Sequence, residues 1–201
     1  MPIVLASMAR SALRPSVFPH DVEAFRLARG GHLGGTMHCA RYLGCAVLWD
    51  AATDEIISPE GVAQGETAHL IPELRLLADR LSTAGVPLGG GAAGVLVPAR
   101  SGPSHLRIYD LFGSAETPFP PLWQQVNFLA DIFAELDHKT IFTRPVQYFH
   151  TPSLNSPARV NRWLKNWTTR PGCGGVFFKE AEFIYTPGAP ASGACVALGR
   201  E

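Results

Sequence analysis

The sequence predicts an α+β fold in which about three main helices pack on a largely antiparallel sheet, and three observations carry that expectation. The 201 residues fit one domain, and with 46% hydrophobic and 17% charged residues they can bury a sizeable core. Apolar residues recur at helical spacing in three separate stretches. Between those stretches, strand-like segments arrive partly as hairpins joined by turns, not as a repeating strand-helix alternation. Glycine and proline number 20 and 17 without any repeat, so turns and irregular connections are expected in place of disorder. We read residues 1–18 as an N-terminal arm and 19–201 as a single α+β domain.

The arm has no basic region ahead of its short apolar run, which argues against a secretory signal. Its lack of acids, with Arg10 and Arg14, leaves an organelle transit peptide as the alternative. In PHDVEAFRLAR, residues 19–29, Val22 and Phe25 stand at helical spacing and Gly30–Gly31 stop a short helix. Thr36 to Asp50 reads as one strand, bulged near Gly44. DAATDE makes a turn from which EIIS returns as a hairpin partner.

Pro72 at a first helical position, Leu74, Leu77, Ala78 and Leu81 on one face, and Gly85 as terminator define an amphipathic helix over 72–84. AAGVLVPA and HLRIYDLF follow as successive strands joined by RSGPS. After Pro120–Pro121, the stripe Leu122, Val126, Leu129, Phe133 and Leu136 marks the longest helix, 121–137. TIFTRPVQYF is strand-like, and Pro145 confines it to an edge or a bulge. Ser156 as cap and Pro157 at N1 open a helix over 156–167, with Val160, Trp163, Leu164 and Trp167 on one face and Arg159, Arg162 and Asn166 on another. GVFFKEAEFIYT and GACVALG supply two last strands around the turn PGAPASG.

Formal net charge is zero, but the signs are segregated. From Asp50 to Glu73 the chain carries Asp50, Asp54, Glu55, Glu60, Glu66 and Glu73 and no Lys or Arg. From His138 to Lys179 it carries Lys139, Arg144, Arg159, Arg162, Lys165, Arg170 and Lys179 and no acid. No run of about 18 apolar residues exists, so a membrane partner is not expected. The four cysteines Cys39, Cys45, Cys173 and Cys195 are too few and too irregular for a disulfide framework, which fits reduced thiols in a soluble, cytoplasmic protein.

Several chemistries are disfavoured. Gly89, Gly91 and Gly94 have dinucleotide-loop spacing, but a strand follows them where a phosphate-facing helix is required. His38 and Cys39, adjacent on a strand, point to opposite faces, and Cys45 lies too far along to join either; no metal and no cofactor is expected. Glu180 and Glu182 share a strand face without a third ligand or a histidine.

Two places remain for function. In PGCGGVFF, residues 171–178, a cysteine is set among three glycines. These residues resemble the G-x-C-G-G signature of chymotrypsin-like viral cysteine proteases. That resemblance implies a nucleophile at Cys173, an oxyanion hole around Gly172, Gly174 and Gly175, and His38 as base. Outside that fold, His105 or His150 would have to activate the thiol. The plain alternative is a tight turn into the strand VFF.

The other place is the basic segment, where Arg144, Tyr148, Phe149, His150, Arg159, Arg162, Lys165 and Arg170 interleave positive charge with rings, a combination that tracks phosphates and stacks bases. The expected function is an accessory or binding protein, not an independent enzyme. Its basic surface, about 138–179, would engage an anionic partner such as nucleic acid or a phosphorylated ligand. The alternatives are a Cys173-dependent hydrolase or transferase and a scaffolding subunit.

Overall fold

The computed structural model describes residues 20–58, 61–62, 67–114, 117–134, 142–188 and 195–199. The expected N-terminal arm, Lys139 and the end of the 121–137 helix lie outside them. Helix α1 (Val22–Leu27) is capped by Asp21, whose carboxylate accepts from the Ala24 amide at 2.8 Å. β1 (Thr36–Tyr42), β2 (Cys45–Asp50), β3 (Glu55–Ser58) and β4 (Gly61–Val62) follow, then α2 (Ile71–Thr83), with Pro72 in its first turn. The hairpin strands β5 (Gly91–Val97) and β6 (His105–Phe112) lead to α3 (Leu122–Ala134). β7 (Thr143–Pro145) and β8 (Tyr148–His150) precede α4 (Pro157–Thr168), which Ser156 caps as expected, and β9 (Cys173–Glu180) and β10 (Cys195–Gly199) complete the order.

The strands form two sheets instead of one. The smaller has the order β10-β9-β1-β8 and the larger β4-β3-β2-β5-β6-β7; among the described residues only β6 and β7 run parallel. Their inner faces bury Met37, Cys39, Val95, Tyr109 and Phe177 against one another. The outer face of the larger sheet is covered by α2 and α3 through Leu74, Leu77, Leu129 and Phe133. The outer face of the smaller sheet is covered by α1 and α4 through Phe25, Val160 and Trp167. The result is a helix-sheet-sheet-helix stack within the α+β class.

Two expected strands are each divided between the sheets. Thr36–Asp50 breaks after Tyr42: β1 pairs with β8 and β9, whereas β2 pairs with β3 and β5. Gly44 permits the crossing, because a Cβ there would lie 2.0 Å from the Leu96 carbonyl oxygen. TIFTRPVQYF divides likewise into β7, the edge of the larger sheet, and β8, the edge of the smaller. Pro145 therefore does sit on an edge strand, where its missing N–H costs no ladder bond. The Glu73 carboxylate of α2 accepts from the Phe142 amide at 3.0 Å and the Thr143 amide at 2.6 Å, fixing the start of β7.

A bulge in β6 arranges the space between the sheets. Ala93 pairs with Asp110 and Gly94 with Ile108, so Tyr109 is the extra residue. Tyr109 packs in the inter-sheet core, and Asp110 next to it faces the same way, reaching Lys179 of β9 across the gap at 2.5 Å. Both members of this ion pair are essentially dry, at 1% and 0% exposure. Burial raises the Asp110 carboxyl further than Lys179 lowers it. For Lys179, burial alone would lower the ammonium, but Asp110 with the Cys195 and Cys39 thiols outweighs it and raises it.

Candidate nucleic-acid interface

A cavity of about 730 Å³ opens where the two sheets diverge, bounded by β1, β6, α3, the β7–β8 connection and the turn from α4 into β9. β7 and β8 belong to different sheets, so Val146–Gln147 must bridge the gap between their edges and forms one wall. Tyr109 ties this mouth to the core: its hydroxyl accepts from the Tyr42 amide at 2.7 Å, and its carbonyl accepts from the Tyr148 hydroxyl at 2.9 Å.

Three guanidinium groups, Arg107, Arg144 and Arg170, line the cavity, and no Asp, Glu, Lys or His does so among the described residues. Arg107 and Arg144 are register partners on the parallel strands β6 and β7. Two guanidinium groups brought together in this way offer bidentate donors to an anion in the cavity. Arg107 Cζ lies 5.2 Å from the Tyr42 ring centroid, and its Nε is buried without a hydrogen-bond partner among the described residues. Arg170 Cζ lies 4.0 Å over the Trp167 ring.

A second cavity of about 340 Å³ adjoins the first and shares Phe149, Trp167 and Arg170 with it. His38, Trp163 and Asn166 complete its lining. His38 is 5% exposed, and its Nδ1 is 3.2 Å from the Thr151 hydroxyl. Its ring meets Trp163 edge-on at 4.6 Å and Trp167 edge-on at 5.3 Å. Burial, reinforced by Arg170, pulls the imidazole down from 6.5 to about 4, so it is neutral at ordinary pH.

Of the residues expected from sequence, Arg144, Tyr148 and Arg170 converge on the larger cavity. Arg159, Arg162 and Lys165 are exposed on α4 and line neither cavity, and His150 is exposed at the end of β8. Trp167 is buried in the core beneath α4, yet it also forms a wall of both cavities. Arg107 was missed. Its one sequence signal is an arginine between the apolar Leu106 and Ile108 of a strand.

Cys173 contributes to the wall of the larger cavity, but its thiol donates to the Gly175 carbonyl at 3.0 Å. None of the three expected bases is hydrogen-bonded to it: His38 is held by Thr151, His150 is exposed, and His105 starts β6 against Phe142, 5.4 Å between ring centroids. The glycines around it serve the backbone. Gly172 has φ +70°, and a Cβ on Gly175 would lie 1.9 Å from the Leu198 carbonyl oxygen. Two open sheets flanked by helices also correct the chymotrypsin-like expectation, which requires paired barrels. Among the described residues, no group of three His, Cys, Asp or Glu is placed to hold a metal ion, and no helix is long and apolar enough to cross a membrane.

No family model and no curated protein matches the sequence. Solved structures do share the fold. A DNA ligase of the Lig E type superposes with a TM-score of 0.58 at 12% identity, covering 92% of this chain and 68% of that one. An archaeal ATP-dependent RNA ligase gives a TM-score of 0.60 at 12% identity, covering 91% and 47%. An RNA ligase of Naegleria gruberi gives 0.60 at 9% identity, covering 94% and 56%. The chain thus spans from about half to two thirds of the length of these ligases.

Proposed function

We propose that the protein binds single-stranded nucleic acid without covalent chemistry, acting as an accessory or binding protein. Phosphates would lie on Arg107, Arg144 and Arg170, and bases against the neighbouring rings. The observation that carries this reading is the convergence of three guanidinium groups on one cavity that has no carboxylate among its described lining residues. Guanidinium groups match phosphate oxygens in bidentate geometry, and aromatic faces at the same site favour unpaired bases. The shared fold supports the nucleic-acid part of the reading alone, since the proteins with this architecture include a DNA ligase and RNA ligases, which are themselves enzymes. The non-enzymatic part of the proposal rests on Cys173, whose thiol donates to the Gly175 carbonyl and not to any of the three expected bases.

Fluorescence anisotropy with a labelled single-stranded 12-mer, titrated at several salt concentrations, tests the proposal. Arg107→Ala and Arg144→Ala are each expected to weaken binding roughly tenfold and to reduce the salt slope by about one. Unchanged affinity and slope in both variants would overturn it.

A further inference from the structure

The smaller cavity raises a separate question of specificity. We infer that it is a stacking pocket for one unpaired base of the bound strand, contiguous with the phosphate path in the larger cavity; the inference rests on the single-strand reading above. Its walls are aromatic on three sides. Trp163 and Trp167 lie 5.6 Å apart between ring centroids, and Phe149 lies 6.1 Å from Trp167. His38 closes the inner end and stacks on Phe149 at 5.6 Å. The volume, about 340 Å³, suits one base and not a run of them.

The polar groups fit the same occupant. Asn166, exposed at the rim, presents both a donor and an acceptor to a base edge. Arg170 is the one permanently charged lining residue, and no carboxylate lines the pocket among the described residues. A cationic ligand is therefore repelled, whereas a neutral ring joined to an anionic linkage is accepted. Phe149, Trp167 and Arg170 are common to the two cavities, so a base seated here has its own phosphate beside Arg170. Phe149 is 44% exposed in the middle of the short edge strand β8, a position that core packing does not demand of a phenyl ring.

The test compares a single-stranded 8-mer with an abasic 8-mer carrying the same phosphates. Both are titrated against the wild-type protein and against Phe149→Ala and Asn166→Ala, whose positions are exposed enough to leave folding intact. The wild type is expected to bind the natural strand roughly tenfold tighter than the abasic one. Both variants should narrow that gap while leaving the salt slope in place. A gap that is absent in the wild type, or that persists in both variants while Arg107→Ala still weakens binding, would overturn the pocket and leave the phosphate reading standing. Failure of the wild type to bind either strand would overturn both. Displacement of the 8-mer by free AMP at concentrations below those of the strand itself would reassign the pocket to a mononucleotide and overturn the strand assignment.

Discussion

The space between the two sheets holds cations of two kinds. At its centre Lys179 meets Asp110 at 2.5 Å in a dry junction that ties β9 to β6. At its mouth Arg107 and Arg144 stand side by side on β6 and β7, and no carboxylate lines the cavity they face among the described residues. A buried cation with a dedicated carboxylate serves the fold, whereas the pair at the mouth lines an open cavity, where the proposed strand would meet it. The segregation of charge along the sequence does not separate the two, because Lys179, Arg144 and Arg170 all belong to the same acid-free run.

The sharpest way to break this comparison is to remove one partner of the central pair. Lys179→Met alone should cost about 3–5 kcal/mol in urea unfolding, because it leaves Asp110 buried without its cation. Adding Asp110→Leu should recover most of that loss; a double variant as unstable as the single would mean that the pair does more than neutralise charge. At the mouth the opposite pattern is expected. Combining Arg107→Ala with Arg144→Ala should abolish most strand binding in anisotropy titrations while costing far less stability than Lys179→Met, since both side chains line an open cavity and not the dry junction.

His38 extends the contrast to pH. Its folded value, about 4, lies below the ordinary 6.5, so the unfolded chain takes up the proton first as pH falls. The stability it contributes is fully present above pH 6.5 and is lost as pH drops toward 4. Melting temperatures across that range should fall more steeply for the wild type than for His38→Gln; parallel curves would refute the assignment. Thiols report the same division between centre and surface. Burial pushes Cys39 up to about 12 and Cys195 above the usual thiol range, whereas Cys45 is exposed. Alkylation followed by peptide mass spectrometry should therefore modify Cys45 first. Rapid labelling of Cys173 near pH 6 would instead indicate a stabilised thiolate and favour a covalent mechanism. The smallest effect is expected from replacing Arg159, Arg162 and Lys165 together. These side chains act on a ligand in the cavities only at a distance, and their contribution should be largely screened at physiological salt.

What the sequence determined by itself is local. Pro72 and Gly85 delimit α2, Ser156 and Pro157 start α4, and the pairings of β2 with β3 and β5 with β6 follow from strands separated by short turns. Each depends on residues a few positions apart, and their periodicity and turn chemistry are written in the chain. The α+β class follows from the same signals, and so does the richness of 138–179 in arginines and rings. Only the tertiary structure decided which sheet each strand joins. The apolar pattern of Thr36–Asp50 runs on through Leu43–Gly44, and the break there lies where the Leu96 backbone of another strand comes too close to Gly44 for any side chain. It likewise decided that Arg107, far from the basic segment in sequence, sits beside Arg144, and that Trp167 is at once core and cavity wall. Contacts between distant segments are set by how whole faces pack and how strands find their register, and neither is encoded in the neighbours of any single residue.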